Sequence, residues 1–204
     1  KWSGDVPTAD DTRGWFEALD TTWEWAELIA PESDGTLPDT PYGDMWAGSG
    51  EGYNSRHYTQ IGTVGQAGTT TLRVTGLAGA RSGNAIYQWT DSGHLDIEIW
   101  VAPTSFTGAD GTDLYGNGTY LNGVSLTGAD IFGAGFSAPI AAEFSADIPV
   151  TLRAGEVGYD IWLSIASVNT LGMQTGTTAG KGQRFFDNPA VSIAPPQGTM
   201  VSIK

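Results

Sequence analysis

The sequence predicts an all-β protein, an antiparallel β-sandwich. Three observations carry that expectation. From residue 56 onward, segments alternate apolar and polar residues with a period of two, the pattern of strands with one face on a core. Glycine, proline and short Asp-Ser-Gly turns separate these segments, in a chain holding 29 glycines and 10 prolines among 204 residues. No strand–helix–strand rhythm appears, which removes a parallel α/β architecture. A chain of this length buries a sizeable core without covalent staples, and it contains no cysteine.

Residues 1–52 read as an irregular, aromatic-rich arm. Asp10-Asp11-Thr12 followed by Trp15, Phe16 and Leu19 fits a short helix running to Ala30 and stopped by Pro31. A first strand over 14–19 fits equally well. With Pro31, Pro38 and Pro41, residues 31–52 are expected to be loop. Trp2, Trp15, Trp23, Trp25 and Trp46 need a surface to bury against, either the sandwich or a neighbouring subunit.

The sandwich is expected over 53–194. Its strands are 56–64, ended by Gly65, and 69–77, where Leu72 and Val74 share a face. A short strand at 85–89 precedes Asp91-Ser92-Gly93. The clearest strand is 94–101, with Leu95, Ile97, Ile99 and Val101 on one face and Asp96, Glu98 and Trp100 on the other. The glycine- and aspartate-rich region 106–136 contains two similar turns, because Ser105-Phe106-Thr107-Gly108-Ala109-Asp110 is echoed by Ser125-Leu126-Thr127-Gly128-Ala129-Asp130. Residues 144–153 form a strand through Ile148, Val150 and Leu152. Over 158–168, Tyr159, Ile161, Leu163 and Ile165 oppose Asp160 and Trp162. Arg184–Ile193 closes the series, and Pro189 within it suits a strand start, a bulge or an edge. Residues 195–204 are an extended tail.

Charge excludes several functions. Nine Lys plus Arg against 23 Asp plus Glu give a net charge of −14, the wrong sign for nucleic acid or for anionic lipid surfaces. No apolar run approaches the ~20 residues of a membrane span. Without cysteine there is no disulfide, thiol catalyst or thiolate metal site. The first thirty residues lack a leader-like pattern and the chain begins at Lys1, so an upstream segment is expected to have been removed.

The polar faces of 94–101 and 158–168 supply the candidate binding residues. Trp100 and Trp162 offer flat rings for the C–H face of a pyranose, while Asp96, Glu98 and Asp160 accept its hydroxyl hydrogens. The competing reading packs these indoles beneath a loop. Arg73, on the face away from Leu72 and Val74, serves either as a ligand donor or as an ion-pair partner. His57 and His94 fall on different strands and read as ordinary structural residues. Asp110-Gly111-Thr112-Asp113 with Asn117 suits either calcium or a plain turn.

Three segments resemble jelly-roll (galactose-binding-like) carbohydrate-binding modules of secreted polysaccharide-degrading enzymes. They are Trp15-Phe16-Glu17, Tyr58-Thr59-Gln60-Ile61 followed by Gly68-Thr69, and Phe185-Phe186-Asp187-Asn188. The resemblance implies a non-catalytic, extracellular or particle-surface module that binds glycan. It also implies a structural calcium held by the opening acid and closing aspartate, here Glu17 and Asp187, on neighbouring first and last strands. The chain departs from that pattern in Pro189 and in its long acidic N-terminal segment.

Two alternatives accompany this reading. The aromatic arm suits a structural subunit of a larger assembly, such as a phage virion head or tail decoration protein or a homo-oligomer. Asp96-Ile97-Glu98 resembles part of the Glu-x-Asp-x-Glu strand of laminarinase-type glycosidases, whose chemistry wants two carboxyls about 5 Å apart; His94 occupies the position of the nucleophile. Gln60-Ile61 resembles an alginate-lyase fragment, but Gly62 stands where a histidine is required.

Overall fold

A computed structural model describes residues 16–17, 26–29, 46–49, 55–80, 89, 93–108, 114–167 and 184–194. Among them are ten strands: β1 (Phe16–Glu17), β2 (Ala26–Ile29), β3 (Trp46–Ser49), β4 (Ser55–Thr63), β5 (Gly68–Ala80), β6 (His94–Ala102), β7 (Thr119–Thr127), β8 (Ile140–Leu152), β9 (Asp160–Ser167) and β10 (Arg184–Ile193). Two short helices, α1 (Leu114–Asn117) and α2 (Gly128–Phe132), flank β7. The strands form two five-stranded sheets, ordered β1-β4-β9-β6-β7 and β2-β3-β10-β5-β8. The pairing is antiparallel throughout. The fold is an all-β sandwich of jelly-roll type.

Alternation puts the core between the sheets. Leu95, Ile97 and Ile99 of β6 meet Ile148 and Val150 of β8, Leu163 and Ile165 of β9, and Phe186 of β10. Ile97 and Ile165 are direct cross-strand partners and both are fully buried, each burial stabilising the fold by about 1.5–3 kcal/mol. His57 of β4 also faces inward, its ring edge-on to Phe186 with centroids 5.5 Å apart. Neither imidazole nitrogen has a hydrogen-bond partner among the described residues, and burial pushes its pKa down to about 4.

The arm differs from expectation. Residues 26–29 are a strand, so no helix runs on to Ala30, and residues 46–49 are a strand within what reads as loop. β1 pairs with β4, and β3 pairs with β10. The described parts of the arm therefore complete the sheets of this same chain, because backbone pairing on an open sheet edge outweighs weak local propensity. Trp2, Trp15, Trp23 and Trp25 lie outside the described residues, as do the side chain of Trp46, residues 85–88, Asp110 to Asp113, and 195–204.

β7 has no counterpart in the expected strands. It is an edge strand, half-buried along most of its length, so its sequence lacks the clean alternation a one-sided strand shows. The echoed turns lie at opposite ends of the β6–β7 pair. The second builds the start of α2, where Thr127 Oγ1 accepts from the Asp130 backbone N–H (3.1 Å) and Asp130 Oδ2 accepts from the Thr127 N–H (2.9 Å). On β10, the register shifts between Asp187 and Ala190, so Asn188-Pro189 forms the expected bulge.

Candidate functional site

Sheet register assembles one face. Because Leu95, Ile97, Ile99 and Val101 enter the core, Asp96, Glu98, Trp100 and Ala102 project to the outer side of their sheet. On β9, the residues beside them are Ala166, Ser164, Trp162 and Asp160 in turn. On β7, Ser125 pairs with Asp96, Gly123 with Glu98 and Tyr120 with Trp100. β4 places Tyr58 beside Ser164, Gln60 beside Trp162, and Arg56 beside Ala166; the Arg56 and Ala166 side chains lie outside the described residues.

The face divides into a covered and an open half. The segment after β6 folds back, so that Phe106 and Leu114 form a small second core with Tyr58, Ala102 and Trp162. Phe106 lies edge-on to Trp162 at 5.2 Å, and Tyr58 meets the same indole at 5.6 Å. Trp162 is 1% exposed, which corrects its role as a sugar platform: the indole is the floor beneath a loop. Phe106 and Leu114 bury there because the alternative is to leave them in water.

The open half carries the polar chemistry. Trp100 is half-buried and stands edge-on to Tyr120 at 5.4 Å, while Tyr120 is 49% exposed. The Trp100 Nε1–H donates to Glu98 Oε2 at 3.0 Å. Ser125 Oγ donates to Asp96 Oδ1, and His94 Nε2 lies 3.6 Å from the same oxygen. A register shift between Ile99 and Trp100 brings Tyr120 rather than its neighbour opposite Trp100. The Tyr120 phenol then lies over Gly123, close to Glu98. Desolvation, then the charges of Glu98 and Asp96, push the Tyr120 pKa up. At neutral pH the hydroxyl keeps its proton.

Other expected members stand elsewhere. Asp160 lies beside Ala102 and accepts from Thr63 Oγ1 at 3.0 Å. From Ala102 back to Asp96 is six residues of β6, about 20 Å of strand, so the two carboxylates do not form one cluster. Arg73 is on β5, in the opposite sheet, and holds Asp147 with two bonds of 2.7 Å. It is an ion-pair partner and not a ligand donor on this face. The Asp147 hydrogen bond raises the Arg73 pKa, and Arg73 lowers that of Asp147.

Glu17 and Asp187 fall on β1 and β10, which belong to different sheets. The first and last strands are thus not paired neighbours; both side chains lie outside the described residues. No group of three or more His, Asp or Glu side chains suited to a metal occurs among the described residues. The buried His94 occupies the nucleophile position of the glycosidase strand, beside Asp96.

Sequence reading missed Tyr120 and Ser125 because β7 was not recognised. Gly123 inside a strand was the available signal, since such a glycine often marks a close approach.

No protein-family profile matches the chain, and no curated protein matches it in sequence. Solved structures do. A Stig cyclase, Fisc from Fischerella sp. TAU, in complex with (3Z)-3-(1-methyl-2-pyrrolidinylidene)-3H-indole, is 10% identical with a TM-score of 0.51, covering 89% of this chain and 85% of that one. The CBM22-2 xylan-binding domain of Paenibacillus barcinonensis Xyn10C is 10% identical with a TM-score of 0.48, covering 89% and 92%. A non-crystalline cellulose specific module, CBM28, is 12% identical with a TM-score of 0.46, covering 96% of each chain. Carbohydrate-binding modules are among the structures this chain is similar to. At such identities the likeness concerns the fold; the chemistry of this chain rests on its own face. No helix among the described residues is long and apolar enough to cross a membrane.

Proposed function

We propose that the chain is a non-catalytic glycan-binding module of an extracellular or particle-surface protein, binding through the open half of this face. The observation that carries the reading is the edge-to-face Trp100–Tyr120 pair, with Tyr120 well exposed and Glu98 and Asp96 beside it. The rings cover apolar C–H surface, and the carboxylates accept hydroxyl hydrogens. The Tyr120 and Ser125 hydroxyls are suited to hydrogen-bond sugar oxygens.

The test is binding of the Trp100→Ala protein to a glycan array, with melting followed in parallel. Loss of retention with the melting temperature held within a few degrees supports the reading. Undiminished retention, or no glycan bound by the unaltered chain, overturns it.

A structural calcium at Glu17 and Asp187 is a separate proposal. It requires the two carboxylates to meet across the sandwich instead of on adjacent strands. A melting temperature that rises with calcium and falls with chelator supports it, and an unchanged one removes it.

A further inference from the structure

We infer that the site is blind and recognises a chain end or short branch of a glycan, not the interior of a long chain; the inference rests on the glycan reading above. The argument is one of footprint, since a ligand touches only what solvent can reach. Moving from the open half toward the sheet centre, the next side chains on this face are Ser164 and Trp162 of β9, then Tyr58 of β4, at 0%, 1% and 0% exposure. Along β6, the face is closed on one side by Ala102, beneath Phe106 and Leu114, and on the other by the buried His94. Among the described side chains, the direction left open is outward over β7, the edge strand of the sheet, where Ser125 and Tyr120 are exposed.

What remains is Asp96, Glu98, Trp100, Tyr120 and Ser125, spread over two strands and the five residues from Asp96 to Trp100. That patch measures about 10 by 13 Å, enough for about two sugar rings. A chain lying across the sheet along the Trp100–Trp162 row would have to pass through Phe106 and Leu114. A chain entering over β7 ends against Trp162 and Ser164 with its last ring on Trp100. Phe106 and Leu114 are therefore the residues that set ligand length. Phe106 packs edge-on against Trp162, which keeps a further sugar ring from that indole.

The experiment uses the unaltered protein on an array of β-glucan, xylan, mannan and arabinan oligosaccharides, each as a homologous series from one unit to eight. Apparent affinity is expected to level off by about three units and to change less than about twofold from there to eight. At equal mass, a bound polysaccharide shortened by partial hydrolysis should compete better in proportion to its new chain ends. Affinity that keeps rising to six or more units, or competition indifferent to the number of ends, overturns the inference while leaving glycan binding intact. No signal on any series overturns the glycan reading itself, and this inference with it. The variants Phe106→Ala and Leu114→Ala should shift the preference toward longer oligomers; should both fail to fold, the series on the unaltered protein still decides.

Discussion

The Tyr120 hydroxyl lies 3.1 Å from the point where a Cβ on Gly123 would stand. A residue with no side chain thus lets a phenol lie back along its own strand, beside the Glu98 stem 3.2 Å from that same point. The third neighbour is the backbone carbonyl of Ile97 at 2.8 Å, which cannot swing aside as a side chain does.

Gly123→Ala is expected to push Tyr120 off Glu98 and to cost about 1–3 kcal/mol of stability through overpacking. Glycan affinity should fall about tenfold, and adding Tyr120→Ala should cost little more, because both changes remove the same contact. Titration calorimetry on the two single variants and the double variant checks this. Full additivity would separate Gly123 from Tyr120.

The two tryptophans should fail in different ways. Trp162→Ala empties the centre of the second core and is expected to cost about 3–5 kcal/mol by urea unfolding. Trp100→Ala should cost clearly less and abolish retention. If Trp100→Ala proves the more destabilising, Trp100 is a packing residue and the platform is lost.

His57 predicts an acid-sensitive stability. Its pKa is 6.5 in the unfolded chain and about 4 in the fold, so between those values the unfolded state binds a proton that the folded state does not. Stability therefore drops as pH falls from 6.5 toward 4, by on the order of 3 kcal/mol from this group. His57→Leu should remove that component. Between pH 7 and 4.5 the urea midpoint of the unaltered protein should fall relative to that of His57→Leu; parallel curves would show that His57 does not contribute.

Arg73→Ala should leave glycan affinity unchanged, because its guanidinium pairs with Asp147 on the other sheet. Its exposed ion pair is screened by salt, so any small loss in melting temperature should shrink at high ionic strength. An affinity loss of tenfold or more would place Arg73 at the ligand.

The strand 94–101 was legible because its core face is an unbroken series of aliphatic residues, and the bulge at Asn188-Pro189 because proline cannot donate to a ladder. β1 was half legible, since a strand over 14–19 competed with a helix there; β2 and β3 were not, because four-residue strands carry too short a pattern and β3 depends on β10 offering an edge. The site was half legible. Asp96, Glu98 and Trp100 share a face by alternation alone, whereas Tyr120 joins them only through a register shift.

By itself, the sequence determined the sandwich class, the two faces of β6 and the polar character of the outer one, since these follow from a period of two within single strands. Tertiary structure decided which indole is available. Trp100 and Trp162 are direct neighbours in the sheet with matching local patterns, yet Phe106 and Leu114 return over one and leave the other partly open. That choice depends on where a distant segment packs, and burial is a property of the whole assembled chain.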